Sequence, residues 1–531
     1  MSPETRYKRS RDNWKRKAGE RAGEIRYGRK QLARVKKERD QLKKELKEAN
    51  SRLCQLETQI QSPVVQDKVD LVFLTLQLSL VARISFRAVS RVLGVLTGAL
   101  GIKKAPSPQT IINWVRRLAL VRIQAALVLK GPVLERAPFC NGWIWMIDIS
   151  IGLGTGKILT VLALNVHHHK TEPDPPGFKD VRCVAVCVAE SWTGEAISAL
   201  LKRLIAVLGR PAAYLKDAGT DLHKSIRLLD EQGLGSLSID DISHVIANLL
   251  KRWYHDHPMF ETFLSTCSRV AGNLKQTILA CLTPPKVRTK ARFMNLHRLI
   301  AWADRLLKLS PPGGARKGSV LSKLRACMDG LPACRSFIRQ FQADAVPLLE
   351  CEKILKTRGL SHSTLAECEP FIQAIPSGGV RQGFQTYLQE QLGIATALGL
   401  EKIGMPITSD PLESLYGLGK QHGTGQIKDA DQIAKNLPAH CGIPTRAEAE
   451  QVLALSVADQ YELTGPSSSL VKQRREVLPN PDRLESLGTN QARTHVELIP
   501  RAKNRSNCSE TVDLSTCYHE AHDPELRCQT G

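Results

Sequence analysis

The sequence predicts a multidomain protein of mixed α and α/β class, with helical regions on both sides of one mixed-sheet domain. Two observations carry this. Three apolar runs of strand-forming residues, WIWMIDIS (143–150), ILTVLALNV (158–166) and VRCVAVCVAE (181–190), follow one another across polar, Gly- or Pro-bearing turns. On either side, apolar residues recur every three or four positions, the helical period. At 531 residues the chain has room for roughly two to four domains and a sizeable core.

Charge narrows the partner. The formal net charge is +23, and residues 1–60 hold 19 Lys and Arg against 9 Asp and Glu. Such an excess points to a polyanion, most often nucleic acid, although a basic segment can also be simply solvated. No stretch reaches the roughly 18 continuous apolar residues of a membrane helix. Residues 71–86 come nearest and are interrupted by Thr75, Gln77, Ser79 and Arg83. The basic N-terminus has no apolar h-region, so no secretory signal is expected. The 14 cysteines are scattered without a CxxC pair, which suits a reducing cytosol. The expectation is a cytoplasmic protein, nucleoid-associated if bacterial. In the tail, Cys508, Cys517, His519, His522 and Cys528 fit no zinc spacing.

Taken in order, residues 1–62 read as a basic arm followed by a coiled coil. Leu32, Val35, Arg39, Leu42, Leu46, Ala49, Leu53, Leu56 and Ile60 form an a/d seam, which predicts a homodimer; a lone solvated helix is the alternative. Residues 63–130 read as a small helical domain. Helices are expected over 67–81, 85–96 and 107–123, the last capped by Ser107 with Pro108 at its first position. Its inner stripe is Ile111, Ile112, Val115, Leu118 and Ala119, which leaves Asn113, Trp114, Arg116 and Arg117 as candidate DNA contacts of a helix-turn-helix-like unit. A plain packing module fits the same pattern.

Residues 131–255 read as the first part of an α/β core: three strands, then helix, strand, helix, strand, helix. Residues 256–400 read as a helical insertion broken at Pro284-Pro285, at 311–314 and at 377–379. Residues 401–463 return to motif-like sequence, and 464–531 read as a poorly ordered tail. The glycines of GLGTGK (152–157) make a hairpin turn rather than a phosphate loop, since no Ser or Thr follows the Lys and no helix follows the turn. His167, His168 and His169 fall in a polar loop.

The acids follow from this layout. Asp148 and Asp217 close predicted strands, where sites gather in open α/β sheets. Glu413, in SDPLESLYGLGKQ (409–421), falls on the first turn of a helix that Asp410 would cap. Singly, each has a structural reading: Glu413 as a capping-box member, Asp217 as a turn residue with Asp221 as its rival.

Together, four segments resemble the DDE transposases, whose catalytic domain is RNase H-like: WIWMIDIS, YLKDAGTDL (214–222), the DISH segment (241–244) and LESLYGLGK (412–420). The strand order also resembles that of the family, and the likeness covers residues 141–255 and 401–425, with the helical block inserted before the final Glu. It implies a transposase that binds the double-stranded DNA ends of a mobile element and carries out transposition, a DNA recombination. Asp148, Asp217 and Glu413 would be catalytic and metal-holding, with two Mg²⁺ about 4 Å apart (or Mn²⁺ in their place). Asp148 would bridge both ions. Lys420 either contacts a DNA phosphate or is a solvated helix lysine; His244 either orients the site or contacts DNA, or is a buried structural histidine. Two rivals stand: a non-catalytic DNA-binding regulator, and a nuclease of the same fold without strand transfer.

Overall fold

Straight-chain residues such as Lys, Arg, Glu and Gln dominate the first sixty positions and lose little side-chain freedom in a helix. In the computed structural model they form one helix, α1 (Pro3–Gln59). Ion pairs one turn apart line it, Arg16–Glu20 at 2.6 Å and Arg34–Glu38 at 3.0 Å. The basic arm is thus helical and continuous with the seam. Leu32, Val35, Leu42 and Leu46 are exposed along it. The side chains of Leu53, Leu56 and Ile60 lie outside the described residues. Those are residues 3–59, 65–128, 141–151, 156–172, 174–285, 292–421, 429–464, 475, 477–478, 480–483 and 496–501. By internal contacts the chain divides into two units, residues 1–71 with 92–105, and residues 72–91 with 106–531.

α2 (Lys68–Leu76) runs into a π-helical turn, Gln77–Val81, where the Ala82 N–H reaches back five residues to the Gln77 carbonyl. α3 (Phe86–Val95) starts behind Ser85, whose hydroxyl accepts from the Ala88 N–H at 3.3 Å. α4 (Thr97–Leu100) stops at Gly101, which takes the left-handed conformation. α5 (Pro108–Ala125) is capped by Ser107 as expected.

The three apolar runs are β1 (Trp143–Ile151), β2 (Lys157–Asn165) and β3 (Val181–Ala189), with a single turn of helix, α6 (His168–Thr171), in the segment expected to be loop. Then come α7 (Gly194–Leu208), β4 (Ala213–Lys216), α8 (Thr220–Glu231), β5 (Leu237–Asp240) and α9 (Ile242–Tyr254). The helical block holds α10 (Phe260–Lys275), α11 (Arg292–Lys308), α12 (Val320–Cys327), α13 (Arg335–Arg358), α14 (His362–Gln373) and α15 (Gly378–Leu398). After it lie α16 (Asp410–Gln421), α17 (Ala430–Ala434), α18 (Arg446–Ala454) and α19 (Val457–Thr464). β6 (Glu497–Leu498) falls in the region read as a poorly ordered tail and pairs with β3, so that reading is corrected at these residues. Two residues carry no periodic signal, which is why the sequence hid them.

The sheet order is β5-β4-β1-β2-β3-β6. β1, β2, β3 and β6 pair antiparallel, while β4 and β5 continue from the other edge of β1 in parallel. Period-two alternation gives the sheet two apolar faces. Trp145, Ile147, Val161 and Tyr214 pack against Leu200, Leu204, Ile226 and Leu229 of α7 and α8. Ile144, Met146, Leu162 and Leu215 pack into the larger core that continues through α9, the helical block and α16. Among the described residues no helix is long and apolar enough to cross a membrane.

Candidate active site

Strand alternation decides which residues reach the site. Ile144 and Met146 face the α9–α16 side of β1, so Asp148 follows them onto that face. On β4, Ala213 and Leu215 share the face, and Asp217, one residue beyond the strand, continues their phase. The parallel register pairs Met146 with Leu215 and Ile147 with Lys216. One step further sets Asp217 beside Asp148, on strands about 4.8 Å apart. Asp217 is held in a tight turn, its Oδ1 accepting from the Gly219 N–H at 2.9 Å. A Cβ at Gly219 would come within 2.8 Å of that same oxygen, so any side chain there would push the Asp217 carboxylate aside.

The other half of the site comes from two helix starts joined by one buried carboxylate. Asp241 is the N-cap of α9, its Oδ1 accepting from Ser243 N–H at 2.8 Å and His244 N–H at 3.1 Å. Its Oδ2 accepts from the Ser409 N–H at 2.6 Å and the Ser409 hydroxyl at 2.8 Å, just ahead of α16. The Ser409 carbonyl in turn receives the Leu412 N–H, so α16 begins one residue earlier than the Asp410 cap expected from sequence. α13 braces the same pair. Glu352 accepts from Ser243 at 2.7 Å and pairs with Lys356 at 3.0 Å, and Lys356 reaches Asp410 at 2.8 Å. This brace sets His244 Nε2 at 3.5 Å from Glu413 Oε1.

α16 is also tied to β1. Tyr416 donates to the Asp148 carbonyl at 2.8 Å, and Lys420 donates to Ser150 Oγ at 2.7 Å. Lys420 therefore anchors the helix, a role neither sequence reading of it contained. His244 is half-buried between acids rather than a core histidine.

The electrostatics tie the halves together. Burial first, and then the Asp217 carboxylate, push the Asp148 acid up to about 6; Glu413 adds to the rise, while the Ile149 N–H and His244 oppose it. For His244, burial opposes the charged ring, but Glu413, Asp241 and Asp217 prevail and raise it to about 9. Asp148, Asp217, Glu413 and His244 thus share one electrostatic neighbourhood. Among the described residues no three His, Cys, Asp or Glu side chains are gathered into a metal-holding group. In chemistry the donors still fit a divalent cation: they are hard carboxylate oxygens that repel one another on one face of the sheet.

The residues proposed to read DNA fare differently. Trp114 is buried, 6% exposed, which corrects its placement on an outward face. α5 packs against the 3₁₀ turn Leu437–His440, α18 and α19. There Arg116 donates to Gln432 at 2.5 Å, and buried Arg122 pairs with Glu448 at 2.8 Å and caps the carbonyls of Ala439, Cys441 and Gly442. Burial lowers the Arg116 pKa. Asn113 and Arg117 are half-buried. The period of one helix cannot show that a segment three hundred residues later covers it. Sequence reasoning also missed Asp241 as the joint of the site, although an Asp two residues before a Ser and three before a His is a legible N-cap.

No protein-family model matches the chain, and no curated protein matches it. Among solved structures it is similar to the Drosophila P element transposase strand transfer complex, at 11% identity and a TM-score of 0.41, over 72% of this chain and 94% of that one. A likeness that distant assigns neither a residue nor an activity.

Proposed function

We propose that the chain is a DNA transposase of the DDE type with an RNase H-like catalytic domain. The observation that carries this is that Asp148, Asp217 and Glu413 share one electrostatic neighbourhood with His244, over one face of a mixed sheet ordered β5-β4-β1-β2-β3-β6. Asp148, Asp217 and Glu413 would hold Mg²⁺, which when bound activates the attacking oxygen and stabilises the leaving one in phosphodiester displacement. The rest falls to the chain. The Asp241–Ser409 joint fixes the spacing of His244 and Glu413. His244, held charged, orients Glu413 and offers a hydrogen bond to a phosphate oxygen. Lys420 and Tyr416 keep α16 seated on β1.

The exposed apolar stripe of α1 supports self-association, and its basic surface supports phosphate binding. Asn113 and Arg117 remain candidate DNA contacts; Trp114 and Arg116, committed to packing, do not.

The test is cleavage of labelled DNA carrying the sequences that flank the gene, with and without Mg²⁺. Metal-dependent nicks at the ends, followed by joining to a target plasmid, are expected. Nicks without joining would identify a nuclease, and binding without nicks a regulator.

A further inference from the structure

One face of α9 continues past the acids. His244, Ala247, Asn248, Lys251 and His255 recur at helical spacing and form one wall of a cavity of about 320 Å³. The opposite wall is the start of α11, with Arg292, Phe293 and Met294, and Phe260 completes it. Its composition is two-sided. The floor is apolar, with Ala247 and the stacked rings of Phe260 and Phe293, centroids 5.2 Å apart. The rim is cationic and polar, with Lys251, Arg292, His255 and Asn248. Lys251 has no acidic partner among the described residues, and Arg292 has only a loose, exposed contact with Glu261 at 3.5 Å.

We propose that this cavity binds one unpaired nucleotide of a DNA strand running into the acidic site, its base on the apolar floor and its phosphate on Lys251 and Arg292. Size and chemistry select this occupant. The volume sits at the low end of the roughly 300–1,000 Å³ of small-ligand sites, so a duplex cannot enter. A paired base shows only its edges to a protein, whereas an unstacked one offers a face to an apolar floor. Two cations on the rim match a phosphodiester. His244 belongs to both places, lining the cavity and touching Glu413, so a strand held here leads to the acids. The identity of the strand as a substrate rests on the proposed DNA-cutting function; the binding itself does not.

The experiment uses the full chain without divalent metal, so that nothing is cut. Binding is compared for a blunt duplex, the same duplex with a short single-stranded overhang bearing 2-aminopurine, and free deoxyadenosine monophosphate. The overhang should bind roughly tenfold more tightly than the blunt end, with a change in 2-aminopurine emission. The double variant Lys251→Ala, Arg292→Ala and the floor-filling Ala247→Leu should each abolish that preference, and Lys251→Arg should keep it. No preference in the wild-type chain, or an unchanged preference in the double variant, overturns the proposal. Free mononucleotide competing as well as the overhang also overturns it, in favour of a free nucleotide. Adding Mg²⁺ separates the two claims: an overhang preference without cleavage leaves the cavity standing and removes the cutting function, and cleavage without a preference does the reverse.

Discussion

Two charged clusters sit at the same strand ends on opposite faces of the sheet, and they follow opposite rules. On the α7–α8 side, Lys216 is buried, with its ammonium 2.5 Å from Asp240 and 3.2 Å from His223 Nδ1. There one cation answers one carboxylate. On the α9–α16 side, three carboxyls share one histidine, and one of them, Asp148, has its acid pushed up to about 6. The clusters are interleaved in sequence, since Lys216 precedes Asp217 and Asp240 precedes Asp241. Neighbouring residues serve different faces because strand side chains alternate. A charge-balanced cluster can be complete in itself, whereas an unbalanced one is the kind a cation or substrate completes.

That contrast can be broken by mutation. The largest effect should come from Asp148→Ala, Asp217→Ala or Glu413→Ala, each cutting DNA cleavage by about a thousandfold or more while leaving DNA binding intact. If Glu413→Ala cuts at the wild-type rate, the three acids do not form one site. On the other face, Lys216→Met should lower the free energy of unfolding in urea by about 3 kcal/mol, because it strands Asp240 without its cation. Metal dependence of cleavage should not change; a shift in the Mg²⁺ concentration needed would show that the faces are coupled. Asp241→Asn turns an amide N–H toward the donors of Ser409 and should cost about 2 kcal/mol. It should also slow cleavage without weakening DNA binding, since it displaces His244 and Glu413 together.

The smallest effect has the opposite sign. The folded protein keeps the Asp148 proton up to about pH 6, while an unstructured aspartate releases it near 3.8. The contribution of Asp148 to folding is therefore fully present below 3.8 and is lost as pH rises through about 6. Metal-free Asp148→Asn should escape that loss and be more stable than the wild-type protein at pH 7 by roughly 1–2 kcal/mol. Thermal melts from pH 4 to 7 would show the two proteins diverging; parallel curves would mean that Asp148 is not electrostatically crowded.

Local pattern made much of this legible. The alternation that places Asp148 on the face of Ile144 and Met146 is visible in WIWMIDIS, and Ser107-Pro108 and Thr193 mark their helix starts plainly. What stayed hidden depends on distant partners. Trp114 reads as exposed until α18 and α19 cover its helix, and Lys420 reads as a phosphate contact or a solvated lysine, with no hint of Ser150 on β1, to which it donates. Asp241 reads as part of a motif, but its second oxygen acts on Ser409, across the whole helical block.

That separation has a consequence in time. The ribosome delivers Asp148, Asp217 and His244 first, then the entire block of α10–α15, and only afterwards Ser409 and Glu413. On the proposed chemistry, a nascent or truncated chain that stops inside the block carries the basic α1 and can sit on DNA, yet lacks the third acid and the seat that positions it. Strand breakage would thus be withheld until the helical block has been translated, and termination inside the block would yield an occupant of the same DNA that cannot cut it.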